Sequence, residues 1–167
     1  KGMFDTAVAH DAVTLSLWVY GGATQPAQDS VFWAGSQPDG GGTRSLNAHL
    51  PWSDSVIYWD TGCCDPGLHR ISVGVPDATR WKGRWNHYAF LKQGDSKRIF
   101  WNGTLLAEGK NTENLNAIRS FFLGSGAGGT STYHGRIDDV AIWDKALNAA
   151  QIQALASGAS PLEIRRY

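Results

Sequence analysis

Ala12-Val-Thr-Leu-Ser-Leu-Trp-Val-Tyr20 decides the fold class. Val13, Leu15, Leu17 and Val19 fall on one side of an extended chain, and Thr14, Ser16, Trp18 and Tyr20 on the other. Gly21-Gly22 ends the run. Shorter runs rich in β-branched and aromatic residues recur at 30–34, 44–50, 56–60, 69–73, 84–92, 98–101, 104–107, 119–124 and 135–143. Asn102-Gly103 between two of them is a hairpin signal, and Pro51, Asp65-Pro66-Gly67 and Pro76-Asp77 mark loops. A single helix is expected near the C-terminus. Asn148 can cap it, Gln151 completes a capping box, Ile152 and Leu155 give it an apolar stripe, and Gly158 stops it. The pattern predicts an all-β fold: a two-sheet antiparallel jelly-roll sandwich with one short C-terminal helix.

Composition agrees with one such domain. The chain has 167 residues, with 15 Lys plus Arg against 15 Asp plus Glu. That neutrality gives no electrostatic footprint for duplex nucleic acid or an anionic membrane. No apolar run approaches the ~18 residues of a membrane span. Charged residues are 18%, below the common share of about 25%. There are 20 Gly, 8 Trp and 1 Met, which suits a turn-rich β protein with aromatic surface to spare. The chain opens at Lys1 with no initiator Met, which reads as a mature fragment or an excised domain.

Most catalytic chemistry is disfavoured. Hydrolysis of a glycosidic bond needs two carboxylates about 5–10 Å apart. The Glu residues are Glu108, Glu113 and Glu163, none in a Glu-x-Asp-x-x-Glu run, and the chain is read as not an enzyme. Gly124-Ser-Gly-Ala-Gly-Gly129 matches a dinucleotide pattern, but Thr130-Ser-Thr-Tyr133 and a strand follow it instead of a helix. The five His show no zinc spacing. Asn102-Gly103-Thr104 is a formal glycosylation acceptor that the hairpin turn already explains. Asp138-Asp139 shifts the phase of its strand, since Ile137 is apolar and so are Val140 and Ile142, and this predicts a bulge.

The two cysteines, Cys63 and Cys64, are adjacent in Thr61-Gly-Cys-Cys-Asp-Pro-Gly67. Neighbouring Cα atoms lie ~3.8 Å apart, short of the ~4.4–6.8 Å of ordinary disulfides. A vicinal disulfide between them is expected, with reduced thiols and pairing to another chain as the alternatives. A disulfide implies export to an oxidising compartment.

Trp85-Asn-His-Tyr-Ala-Phe90, Ile99-Phe-Trp-Asn-Gly103, Phe122-Leu-Gly-Ser125 and Gly135-Arg-Ile-Asp-Asp-Val-Ala-Ile-Trp143, followed by Ala146-Leu147 and a short helix, together resemble the laminin-G-like, concanavalin A-like jelly roll. The resemblance runs from Ala12 to Ser157. Arg44-Ser-Leu-Asn-Ala-His-Leu-Pro-Trp-Ser-Asp54 with Val56-Ile-Tyr-Trp-Asp60 is similar to a subgroup of secreted bacterial multidomain proteins; the paired cysteines depart from the family pattern. It implies a domain over 1–158 and a tail or linker over 159–167. It also implies a structural calcium, with Asp138 and then Asp139 as side-chain ligands completed by backbone carbonyls, and frequent carbohydrate binding. Members also bind proteins, and some only space other domains.

The expected function is therefore a non-catalytic carbohydrate-binding module of a secreted or cell-surface protein, tethered to other domains, with a polysaccharide or glycan as partner. The alternative is a protein-interaction or adhesion module with no sugar ligand. Sugars offer C–H faces to aromatic rings and hydroxyls to polar side chains. Residues 44–70 concentrate both kinds of group, and the expected ligand-binding residues are Arg44, His49, Trp52, Tyr58, Asp60, Cys63, Cys64 and Arg70. Alternation puts Tyr58 and Asp60 on the ligand face and Trp59 in the core. Tyr133-His134 is the next place to look.

Overall fold

In the computed structural model, residues 2–164 are described. Helix α1 (Met3–His10) leads into ten strands, β1 (Ala12–Gly21), β2 (Phe32–Gly35), β3 (Arg44–His49), β4 (Val56–Asp60), β5 (Arg70–Gly74), β6 (Trp85–Gln93), β7 (Ser96–Trp101), β8 (Thr104–Lys110), β9 (Ser120–Leu123) and β10 (Gly135–Trp143), and helix α2 (Ala149–Ala156) follows them. The strands pair antiparallel into two five-stranded sheets, β10-β1-β6-β7-β8 and β5-β4-β3-β2-β9. The chain changes sheet after β1, β5, β8 and β9, which makes the jelly roll.

The apolar side of β1 lies between the sheets: Val13, Leu15 and Leu17 are fully buried beside Phe32, Leu46, Trp59 and Phe90. Burying such side chains is worth about 1.5–3 kcal/mol each. The polar side of β1 is buried as well at Thr14 and Ser16, where α2 and the residues before it cover the face. Thr14 Oγ1 donates to the Lys145 carbonyl (2.8 Å) and accepts from Leu147 N (2.9 Å). Ser16 Oγ lies 2.8 Å from His87 Nε2. Beneath α2 a second apolar cluster joins Leu91, Phe100, Trp143, Leu147, Ile152, Leu155 and Ile164. Ile164 thus ties the start of the 159–167 tail to the sheet, while Lys1 and residues 165–167 lie outside the described residues.

The C-terminal helix has the expected cap, with Asn148 Oδ1 accepting from Gln151 N and Gln151 Oε1 from Asn148 N, both at 2.9 Å. Asn102 and Gly103 turn the β7–β8 hairpin with φ of 49° and 81°. The bulge falls at Asp139 (φ 48°), where register jumps from Ser16 opposite Ala141 to Trp18 opposite Asp138. Helix α1 departs from the one-helix expectation. It holds Ala7 in the core, seats Phe4 6.0 Å from the Phe121 ring, and pairs Asp5 with Arg119 at 3.2 Å.

Candidate functional site

The outer face of the second sheet carries the predicted residues. On β4, Ile57 and Trp59 point inward and are buried, so Tyr58 and Asp60 point outward. Register then sets Asp60 opposite Arg70 on β5 and Asn47 on β3, and Asn47 opposite Trp33 on β2. Although it faces outward, the Asp60 side chain is 0% exposed, because two guanidinium groups cover it. Arg70 donates from Nε to Oδ1 (2.6 Å) and from Nη2 to Oδ2 (2.7 Å), the bidentate fork; Arg44 Nη1 also donates to Oδ2. Each guanidinium also lies over a ring: Arg70 sits 4.2 Å from the Tyr58 centroid and Arg44 4.8 Å from that of Trp33. The Asp60 hydrogen bonds push the Arg70 pKa upward. Arg44 Nη2 and Arg70 Nη1 make no hydrogen bond among the described residues.

Beside this triad stand His49, Trp52 and Tyr58. His49 Nδ1 donates to the Asp29 carbonyl, so Nε2 accepts from Asn47 Nδ2 at 2.9 Å. Burial lowers the His49 pKa and keeps that neutral tautomer in place. Its ring meets Trp52 edge-on at 4.4 Å and Tyr58 at 6.1 Å. The Tyr58 hydroxyl donates to Asp54 Oδ2 (2.6 Å), which raises its pKa. Trp52 and Tyr58 are both half-buried. Tyr133-His134 joins from behind: His134 N and Nδ1 both lie 2.9 Å from Asp29 Oδ2, and the Tyr133 hydroxyl donates to the Leu50 carbonyl at 3.4 Å.

The loop between β4 and β5 supplies Cys63 and Cys64, both exposed and both free. Their Sγ atoms are 2.8 Å apart, well beyond a covalent bond of ~2.05 Å, so the expected vicinal disulfide is corrected to a pair of thiols in contact. The short Cα spacing of neighbours opposes the bond. The Cys63 thiol pKa is raised, first by its hydrogen bond to Cys64. Cys64 Sγ also lies 3.6 Å from Arg44 Nη1, which links the loop tip to the triad. The eight residues named from sequence thus gather on one face and its two adjoining loops, β3–β4 with Trp52 and β4–β5 with the cysteines.

Two contributors escaped the sequence reading. Trp33 forms the platform for Arg44, and its indole N–H donates to the Gly40 carbonyl at 3.1 Å. Its outward direction follows from the inward Phe32 beside it. Lys97 is fully buried beneath the site, where Nζ donates to the carbonyls of Trp59 (2.9 Å) and His69 (2.8 Å). These are the residues just before Asp60 and Arg70, so Lys97 pins the strands that present them. Desolvation drives its pKa well below the ordinary lysine value.

Asp138 and Asp139 are elsewhere, exposed on the β10 bulge, with Asp138 Oδ1 accepting from Asp139 N at 2.9 Å. Among the described residues no three of His, Cys, Asp or Glu converge as a metal-ligand group. A calcium at the bulge would therefore draw most of its six to eight oxygens from carbonyls and water.

Several solved structures share the fold. Domain 4 of an extracellular arabinanase from Geobacillus stearothermophilus, in complex with arabinotriose, aligns at TM-score 0.66 and 21% identity, over 87% of this chain and 66% of that one. Trypanosoma rangeli sialidase in complex with a difluoro-nononic acid aligns at 0.63 and 15%, over 89% and 23%. The receptor-binding domain of botulinum neurotoxin type G aligns at 0.64 and 13%, over 88% and 38%. The chain thus spans less than two thirds of each of these structures. Comparison with curated proteins returns no match. The Laminin_G_3 family model matches residues 4–153, nearly the whole jelly roll, and the chain belongs to that family, described as the concanavalin A-like lectin/glucanases superfamily.

Proposed function

We propose that this domain is a non-catalytic carbohydrate-binding module of a secreted protein, and that the glycan lies across the outer face of β3, β4 and β5. One observation carries the reading: Asp60 fixes two guanidinium groups on aromatic platforms and leaves one terminal nitrogen of each free. Such groups can grip vicinal hydroxyls with little ordering cost. Trp52 and Tyr58 beside them offer ring surface to the C–H face of a sugar. The arabinotriose complex of the similar arabinanase domain supports the same class of ligand. The non-catalytic reading rests on chemistry: Glu108 sits on β8, Glu113 lies between β8 and β9, Glu163 follows α2, and Asp60 is committed to two arginines.

A glycan array followed by calorimetry tests the proposal. Trp52→Ala is expected to weaken binding of the selected glycan by about tenfold or more, as befits a lost stacking contact. A correctly folded Trp52→Ala, Arg70→Lys double variant with wild-type affinity refutes the location. A blank array with retained binding to an extracellular protein selects the adhesion reading instead. Calcium belongs to the same proposal, as a structural ion at Asp138. Chelation is then expected to lower the melting temperature, because the ion binds the folded state alone. An unchanged melting temperature and no calcium by elemental analysis remove it.

A further inference from the structure

A groove of about 610 Å³ lies where the β7–β8 hairpin meets the segment before β6. Its walls include Arg80, Arg84, Trp85, Trp101, Asn102 and Leu105. Both arginines are exposed, and neither has an ion-pair partner within 4.0 Å among the described residues. Among the described residues no Asp or Glu lines the groove. Asp77 feels both charges: its pKa is lowered first by Thr79 hydrogen bonds and then by Arg80 and Arg84.

The floor is rigid. Asn86 Oδ1 accepts from Trp101 Nε1 (2.8 Å) and Asn102 Nδ2 (2.9 Å), and Asn102 Oδ1 accepts from His87 N (2.8 Å). The Arg80 guanidinium lies 4.4 Å from the Trp101 ring centroid, which orients its plane while leaving its edge donors uncommitted. Trp85 is 40% exposed, with its ring held 5.7 Å from Tyr20, and Leu105 beside it is 44% exposed.

We propose that this groove is a second binding site, specific for a saccharide that carries a carboxylate. The unpaired guanidinium forks match a carboxylate in geometry and charge, and the exposed indole matches the apolar face of the same sugar ring. Neither feature alone selects an acidic sugar; a ring face and an anion on one small ligand satisfy both. The site shares no residue with the Asp60 face and stands whether or not that face binds glycan.

The test is calorimetry with tetragalacturonate, its fully methyl-esterified form, and a sulfated disaccharide. Tetragalacturonate is expected to bind with an affinity that falls as NaCl rises, and the neutral ester to bind at least tenfold more weakly. Arg84→Ala is expected to lose about tenfold or more, since charge-assisted bonds are among the stronger ones, while Arg84→Lys recovers part of the loss because it keeps the charge without the fork. Trp85→Ala is expected to weaken binding comparably. Equal affinity for acid and ester, wild-type affinity in folded Arg84→Ala, preference for the sulfated sugar, or no binding of tetragalacturonate would each overturn the proposal.

Discussion

Replacing Asp60 by Asn should destabilise the domain far more than its outward position on a surface sheet suggests. The carboxylate is 0% exposed, and the side chains of Arg44 and Arg70 are each 19% exposed. It accepts three hydrogen bonds, two from the Arg70 fork and one from Arg44. Asparagine keeps the shape but loses the charge and one acceptor, which leaves two guanidinium groups facing each other without compensation. Breaking a buried pair in this way costs about 3–5 kcal/mol; the residual exposure of the arginines places this case near 3. Urea denaturation at pH 7 reads the change as a lower midpoint at constant slope. A second variant separates lost charge balance from lost packing. In Arg44→Met, Asp60→Leu, Arg70→Met all three charges go while the stems that cover Trp33 and Tyr58 remain. That triple variant should be more stable than Asp60→Asn, because no charge is left unpaired. A single variant within about 1 kcal/mol of wild type, or a triple variant worse than the single, would refute the reasoning.

Other consequences can be measured directly. Burial holds the His87 imidazole at about 4 against 6.5 when unfolded. The unfolded chain therefore takes up the proton first as pH falls: the contribution of His87 is complete above 6.5 and lost as pH drops toward about 4. Wild type should lose about 2 kcal/mol more than His87→Gln between pH 7 and pH 5 by urea denaturation, and equal losses would exclude His87 as the source. For the cysteines, thiol titration of the unreduced, denatured chain should find two sulfhydryls, and Cys64→Ala should speed alkylation of Cys63 at pH 8 by removing the hydrogen bond that raises its pKa.

Alternation placed the strands because both sheets bury one face against a common core, so period two survives in β1, β3 and β4. Trp59 and Tyr58 were separable on that basis, and their opposite fates, core and outer face, follow from neighbouring positions on β4. Helix α1 left no comparable trace: its buried face amounts to Phe4, Ala7 and Val8, one turn of pattern. Its order comes from tertiary partners, Phe121 and Arg119, that lie over a hundred residues away. The site residues were legible as residue types in a short segment, but their roles were not. Asp60 looked like a group open to ligand and is a buried anchor, because register places Arg70 opposite it and Arg44 across the same face. Nothing in the sequence around Lys97 marks it as interior; only the approach of two carbonyls from β4 and the loop before β5 gives its amine a place there. The Arg80–Arg84 groove joins the segment before β6 to a hairpin some twenty residues later, and no local spacing announces it.

Where a ligand can bind is also decided by where the fold has already used its surface. The outer face of the first sheet is closed along much of its length: α2 and Ile164 cover Leu91, Phe100 and Trp143, and Thr14 spends its hydroxyl on the segment leading into α2. The space left beside Ser16 and His87 is only about 10 Å³, room for about one water and too small for a sugar ring. Ser16 and His87 therefore form a sealed polar pair, despite a separation of 2.8 Å that would otherwise suggest a nucleophile and its base. Among the described residues no helix covers the outer face of the second sheet, and polar and aromatic side chains fill it. They hold one another there through Asp60, His49 and Asn47 instead of through an overlying element. A face organised by its own lateral hydrogen bonds can stay rigid while remaining open to solvent. That combination lowers the ordering cost of recognition, and in this domain the architecture of the second sheet supplies it.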